Sequence, residues 1–193
     1  DRAAREAMAT AAGRATRVAA ERVRAEFEKL MTAPAPSRGW ELLRAAGLLD
    51  LWMPELTRGF GVTQNRHHAW DVWDHSLHTC DAAPDGKPVV RWAALLHDIG
   101  KVDTRVVREG EPTFYGHERV GAVQADLLLL RLRFANDTRA AIVHLVREHM
   151  FDYRREWSDA AVRRWLRRVG VENVADLFDL RIADALGNGL RPP

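Results

Sequence analysis

The chain has 193 residues, 47% hydrophobic and 29% charged, with a formal net charge of +2. That length supports one or two domains with a real core, and no apolar run approaches the ~20 residues of a membrane-spanning helix, so no membrane partner is expected. The lone cysteine, Cys80, excludes an intramolecular disulfide and a thiolate metal cluster, favours a reducing compartment such as the cytoplasm, and leaves histidine and carboxylate as the available metal ligands.

The first predicted helix covers roughly 3–31, with Val23, Phe27, Leu30 and Met31 as its clearest apolar stripe. Its start is rich in alanine and arginine, yet it carries glutamates and little serine, which argues against a transit peptide. Residue 1 is aspartate, so a piece of a longer protein is expected. "TAPAPS" breaks the helix, because proline cannot continue it. Ser37 can cap a second helix and Gly47 can end it. "LLDLWMPEL" suits a short helix stopped near Pro54. The two glycines of "TRGFGVTQN" mark a boundary, dividing a helical segment over 1–60 from a second domain over 61–193. Further helices are predicted at about 69–82, 88–99, 116–133, 137–150, 159–169 and 174–187. "REGEPTFYG" is the longest irregular stretch between them. No strong strand signal appears, so the class expected is all-α, a helical bundle.

The histidines and acids of interest are those that periodicity turns inward. Ile142, Leu145, Val146 and His149 follow i, i+3, i+4, i+7, which puts His149 on a buried stripe, while His144 lies about 140° away. Leu177, Leu180 and Asp184 follow i, i+3, i+7, and Asp176 and Asp179 fall on the other side. A buried carboxylate is costly without a partner; a metal ion or Arg181 would serve. Trp70, Trp73, Leu77 and Cys80 form one stripe of the 69–82 helix and His75 lies opposite, so His75 faces a site only if that helix is buried on two sides. In "WAALLHDIGK", Val89, Trp92, Ala93 and Leu96 pack the helix, and His97 and Asp98 then stand at its end. A mixed histidine and carboxylate set suits Mn, Fe, Co, Ni, Zn or Mg.

The order His75, then His97-Asp98 in "HDIGK", then Asp184 in "RIADALG" resembles the signature of HD-domain metal-dependent phosphohydrolases. Lys101 completes the frequent HDxxK form, and His117 in "GHERVGA" and His149 in "REHM" match the extra histidines of members that hold two metals. A narrower resemblance covers almost the whole chain. "ERVRAEFEKLM", "LLRAAGLLDLWMPEL" and "TQNRHHAWDVWDHSLHT" are similar to the neck and HD body of bacterial CCA-adding enzymes, the tRNA nucleotidyltransferase and poly(A) polymerase family. The glycine-rich motif and aspartate pair of that family's polymerase head, and the EDxxR motif of its neck, are not found in the sequence. The chain is thus expected to begin past them, with a nucleotidyltransferase head in cis or in trans as a partner.

The resemblance implies an HD-type helical bundle behind a neck-like segment, and hydrolysis of phosphoesters at nucleotide or RNA ends, 2′,3′-cyclic phosphates included. It implies one or two divalent ions, the first on His75, His97, Asp98 and Asp184, the second on His117 and His149 with Asp98 bridging. A metal lowers the pKa of a bound water towards ~7, which makes it the attacking nucleophile. Lys101 would contact the phosphate, and His68 would take a substrate or supporting role. His117, His68 or solvent would protonate the leaving oxygen. Arg163, Arg164, Arg167 and Arg168 share one helix face, a ridge for RNA phosphates or else a solvated charged surface. Of the 29 basic residues only Lys29, Lys87 and Lys101 are lysines, the rest arginine, whose planar fork suits phosphate but which a GC-rich genome also favours. The principal expectation is a phosphohydrolase, with Asp98, Lys101 and His117 at its chemical centre. The alternative is a tRNA-binding body module with a vestigial site; a third expectation is hydrolysis of free nucleotides.

Overall fold

A computed structural model describes residues 3, 10, 15, 17–65, 69–152 and 156–189. The elements run α1 (Ala20–Met31), α2 (Ser37–Ala45), α3 (Leu49–Trp52), α4 (Pro54–Thr57), α5 (Val72–Ala82), α6 (Pro88–Leu96) and α7 (Lys101–Thr104). A hairpin of β1 (Val106–Arg108) and β2 (Glu111–Thr113) follows, then α8 (His117–Arg131), α9 (Asn136–Glu148), α10 (Asp159–Val169), a 3-10 turn at Val171–Asn173 and α11 (Val174–Gly187). The all-α class holds, and among the described residues the hairpin is the one departure from it. Glu109 and Gly110 both take positive φ, at 51° and 82°. Two consecutive left-handed residues make the tight turn that matches strand twist, and register then pairs Val106 with Thr113 and Arg108 with Glu111. "REGEPTFYG" is therefore not irregular throughout.

The N-terminal helix is also interrupted. Ala3, Thr10 and Ala15 are helical, but residues 17–19 leave the helix before α1 begins. No glycine or proline lies between residues 14 and 20, so nothing in the sequence marks the break. Ser37 is not the cap of α2, whose N-cap is Pro36. Its backbone N–H and hydroxyl instead donate to the two carboxylate oxygens of Asp81, at 2.9 and 2.6 Å. Gly47, at φ 67°, ends that helix as expected.

Helix α6 is the centre of the molecule, packed by α1, α5, α9 and α11. Every residue from Val90 to Gly100 is buried, so the helix is enclosed all round and not on one face. Trp40, Trp73 and Trp92 are all but inaccessible, and an edge-to-face chain of rings links Phe27, Trp40, Trp92 and Phe134. One core thus runs continuously from α1 into the later helices. Arg91 is buried within it; Nη1 donates to the carbonyls of Met31 at 2.6 Å and Ala33 at 2.8 Å, and Nη2 pairs with Asp85. A guanidinium thus satisfies orphan carbonyls at the C-terminal end of α1.

Candidate metal centre

Helix α5 starts cleanly because Asp71 caps it, accepting from Asp74 N–H at 2.7 Å. It is buried on two sides, with Trp73, Leu77 and Cys80 on one and His75 and Thr79 on another, so His75 is fully enclosed. Trp70 is not part of the buried stripe: it precedes the helix, is half exposed, and lies 4.8 Å from the His78 ring. The end of α6 supplies His97 and Asp98; α8 opens with His117; His149 follows directly on α9; and Asp184 sits on α11.

Two glycine-mediated approaches bring these elements together. A Cβ on Gly100 would run into the carbonyl of His117 and stand 2.5 Å from the Gly121 nitrogen. A Cβ on Gly187 would meet the Thr79 backbone nitrogen at 2.7 Å, which lets α11 lie close on α5. Each contact is three or four residues from a site group on both sides: His97 with Gly100, His117 with Gly121, His75 with Thr79, Asp184 with Gly187.

The result is two sets of ligand-type atoms that share Asp98. His75, His97 and Asp184 form one, and Asp98, His117 and His149 the other, with the candidate atoms of each within 4.8 Å of one another. Asp98 Oδ2 also lies 3.3 Å from His75 Nε2 and 3.2 Å from His97 Nε2, while Oδ1 lies 3.2 Å from His117 Nε2 and 4.0 Å from His149 Nε2. Asp98 therefore belongs to both sets, one oxygen to each. Asp184 divides its carboxylate differently: Oδ1 is 3.1 Å from His75 Nε2, and Oδ2 accepts from Arg181 at 3.1 Å. The metal and the arginine that the sequence offered as alternative partners can thus coexist.

Three of the four histidines are oriented in one way. Nδ1 of His97, His117 and His149 contacts the carbonyl three residues back, Ala94, Phe114 and Val146, at 2.8, 2.9 and 2.7 Å. A carbonyl only accepts, so Nδ1 carries the proton and Nε2 presents a lone pair to the interior. His117 Nε2 and His149 Nε2 then face each other at 3.2 Å. Two lone pairs at that distance need a proton or a cation between them. Two imidazoles on one ion at ~2.1 Å would have their nitrogens roughly 3.0–3.4 Å apart, so the observed spacing fits. Asp98 Oδ2 is buried and has no hydrogen-bond partner of good geometry among the described residues, although nitrogens surround it. The donor set, nitrogens and carboxylate oxygens converging on a buried point, fits a divalent ion of the borderline kind.

The charges of the metal-free site follow from the same neighbours. Burial pushes the Asp98 carboxyl upward, but His97, Lys101 and His117 outweigh it and hold it well below the usual carboxylate range. Burial likewise opposes the charge of Asp184, yet His75 and His97 keep that carboxyl low. Burial would depress His97, and Asp98 and Asp184 reverse this into a raised pKa. His149 is pushed down to about 3 by burial and by the neighbouring His97 and His117.

The centre lies at the base of a cleft of about 720 Å³ whose wall includes Phe114, Tyr115, Met150, Arg181 and Asn188. Lys101 is at this wall too, but it is buried: Nζ lies 2.6 Å from Asp98 Oδ2 and donates to Gln64 Oε1 at 2.6 Å. Nothing in the sequence marks Gln64, since an amide in a glycine-containing loop carries no signal of a partner 37 residues on. His68 lies outside the described residues. His144 is apart from the centre, its Nε2 on the Val169 carbonyl at 2.7 Å. Arg163, Arg164, Arg167 and Arg168 are exposed along α10, with Trp165 and Val169 buried behind them. They do not line the cleft, though Arg168 Nε is 2.9 Å from Glu148, the residue before His149.

Comparison with known proteins matches residues 66–189 to the HD domain and residues 1–60 to a family described as the probable RNA and SrmB-binding site of polymerase A. The chain is 39% identical over 179 residues to the A-adding tRNA nucleotidyltransferase of Deinococcus radiodurans, covering 90% of this chain and 41% of that protein. It is 37% identical over 174 residues to the CC-adding tRNA nucleotidyltransferase of Thermus thermophilus, covering 87% and 39%. It is 38% identical over 163 residues to the multifunctional CCA protein of Cupriavidus necator, covering 82% and 39%. The chain spans about two fifths of the length of these relatives.

Proposed function

The chain belongs to the HD domain family, and from that premise we propose that it is a metal-dependent phosphohydrolase centred on Asp98. The observation that carries this is the buried, doubly shared Asp98 carboxylate between two histidine sets at the base of an open cleft. His75, His97, Asp98 and Asp184 would hold one ion; His117 and His149, with Asp98 bridging, would hold a second. When bound, such ions generate a nucleophile from water at neutral pH and neutralise charge on a phosphoryl oxygen.

The chain's own residues do the rest. Backbone carbonyls at Ala94, Phe114 and Val146 keep three imidazoles in the tautomer that can ligate. Lys101 keeps Asp98 anionic and, held by Gln64, offers positive charge at the cleft wall where a phosphate enters. Both nitrogens of His117 are engaged, which suits a ligand better than a proton donor and leaves His68 or solvent to protonate the leaving oxygen. The substrate class is a nucleotide or RNA 3′-end phosphoester, with 2′,3′-cyclic phosphates the first choice. The purified protein, given 2′,3′-cyclic nucleotides with Mn, Co, Ni or Mg in turn, hydrolyses them with at least one ion. Activity that survives Asp98→Ala would sink the reading.

RNA contact is a second reading, favoured by the match of residues 1–60 to a probable RNA-binding family and by the exposed arginine face of α10. On this reading the chain acts in the cytoplasm as the body of a tRNA-modifying protein, with a nucleotidyltransferase head in cis or in trans. Binding of tRNA that weakens steeply with salt, and loses part of that slope when Arg163, Arg164, Arg167 and Arg168 are reversed in charge, supports it. Binding indifferent to those charges removes the ridge.

A further inference from the structure

The cleft is larger than a phosphate needs, and its wall carries an aromatic ring that the chemistry above leaves unused. Tyr115 is 78% exposed, the most exposed aromatic side chain among the described residues. A single exposed ring is unremarkable on a surface. This one lines the same cleft as Asp98, His117, His149 and Asp184.

Its backbone is pinned from both sides. The preceding strand β2 is paired, with Thr113 opposite Val106. The Phe114 carbonyl accepts from both the backbone N–H and Nδ1 of His117, at 3.1 and 2.9 Å. Gly116 then turns the chain through φ 81° into α8. Phe114 itself is buried, with its ring 5.5 Å from Lys101 Nζ. So the peptide that orients a site histidine also fixes the backbone from which the Tyr115 ring projects. The Arg108 guanidinium, from the paired strand β1, lies 5.8 Å from the centre of that ring. Met150, directly after His149, is a second exposed apolar side chain on the cleft wall.

An exposed ring on a fixed backbone, with a cation beside it and next to a phosphate-type centre, matches what a nucleobase requires. Any base offers a π-face, and aromatic stacking is tolerant of base identity. Small-molecule clefts span about 300–1,000 Å³, and this one leaves room for a nucleoside beyond the phosphate. We propose that Tyr115 is a stacking platform for the nucleobase attached to the reacting phosphate, with Arg108 beside it and Met150 as a further apolar contact, so that the site selects nucleoside-bearing esters over phosphoesters without a base. This rests on the phosphohydrolase reading.

The test pairs two substrates with the same five-membered cyclic ester: 2′,3′-cyclic AMP and glycerol 1,2-cyclic phosphate, which has no base. In metal-loaded protein, Tyr115→Ala is expected to lower kcat/KM for the nucleotide roughly five- to a hundredfold, leave the glycerol ester within about twofold, and be rescued by Tyr115→Phe. Equal loss on both substrates would make Tyr115 a support for His117, and no loss on either would make it a bystander; each overturns the proposal. A second readout is independent of hydrolysis. An oligoribonucleotide with 2-aminopurine at its 3′ end is quenched when that base stacks. Quenching present with the wild-type chain and lost in Tyr115→Ala supports the platform; absence of quenching overturns it. If no ion supports hydrolysis of either ester, the phosphohydrolase reading falls, and the quenching alone decides the role of Tyr115.

Discussion

The two histidine sets share Asp98 yet are unlike in charge. The set of His75 and His97 has a second carboxylate of its own, Asp184. That of His117 and His149 has only the shared one, and both its imidazoles are buried. Burial without a dedicated anion is why His149 is driven to about 3, whereas His97, with two acids near it, is raised. The lesson is that one set brings a carboxylate of its own beside Asp98, whereas the other has Asp98 alone. With two ions bound, the carboxylate-rich side is expected to fill first.

The sharpest way to break the comparison is to remove what the two sets share. Asp98→Ala is expected to cost about a hundred- to a thousandfold in phosphoester hydrolysis, the scale of losing a preorganised electrostatic group in a dry site. Metal analysis is expected to find neither ion. Next in size are the substitutions that touch one set. Asp184→Asn should empty the first set and with it most activity, while His149→Gln should weaken only the second ion, by roughly 10- to 100-fold or more in affinity. Titrating Mn into each variant separates them: equal loss from both would show that the sets fill together and not in sequence.

Acid sharpens the same contrast in metal-free protein. His149 has its folded pKa below the ordinary 6.5, so below pH 6.5 the unfolded chain takes a proton that the folded one refuses. Stability therefore falls as pH drops from 6.5 towards about 3 on account of this residue. Asp98 and Asp184, depressed below 3.8, contribute stability above that value and lose it on further acidification. His97 runs oppositely, since its raised pKa contributes fully below 6.5 and is lost as pH rises through the folded value. The Tm of the metal-free chain should fall between pH 6.5 and 4, and His149→Gln should flatten that fall. A Tm slope unchanged by the substitution would assign the acid sensitivity elsewhere.

How much of this was legible depended on whether a feature is periodic. His149 and Asp184 lie on helical stripes with leucine and isoleucine, so their inward direction followed from spacing alone. His75 did not, because its helix is enclosed on two sides and no stripe distinguishes them. The sequence does not show the hairpin because its strands are three residues long, too short for an alternation, and Glu109-Gly110 is not one of the favoured Asn-Gly or Asp-Gly turn pairs. The bonds of Ser37 to Asp81 and of Lys101 to Gln64 span 44 and 37 residues. No local pattern encodes such distant partners. Tyr115 is legible only once the cleft exists, since beside His117 in sequence it is merely another surface aromatic.

The smallest expected effects come from the glycines that hold each set together, and they test whether the two halves are equally rigid. At Gly100 the obstruction is backbone, the His117 carbonyl and the Gly121 amide, which cannot rotate away. At Gly121 the nearest atom to an added Cβ is the Gly100 nitrogen, at 3.2 Å, a contact that a few tenths of an ångström would relieve. Overpacking of the first kind costs about 1–3 kcal/mol. Gly100→Ala is thus expected to lie in that range by urea denaturation, with Gly121→Ala below about 1 kcal/mol. Gly187→Ala, which meets the Thr79 backbone, belongs with Gly100. The informative quantity is the ion lost with the stability. Separation of α11 from α5 draws Asp184 from His75 and weakens the first set. Separation of the His97–Gly100 turn from α8 moves His117 from Asp98 and weakens the second. If both glycine variants lost the same ion, the two helix contacts would act as one joint, and the division of the centre into halves would be chemical only, with no mechanical counterpart.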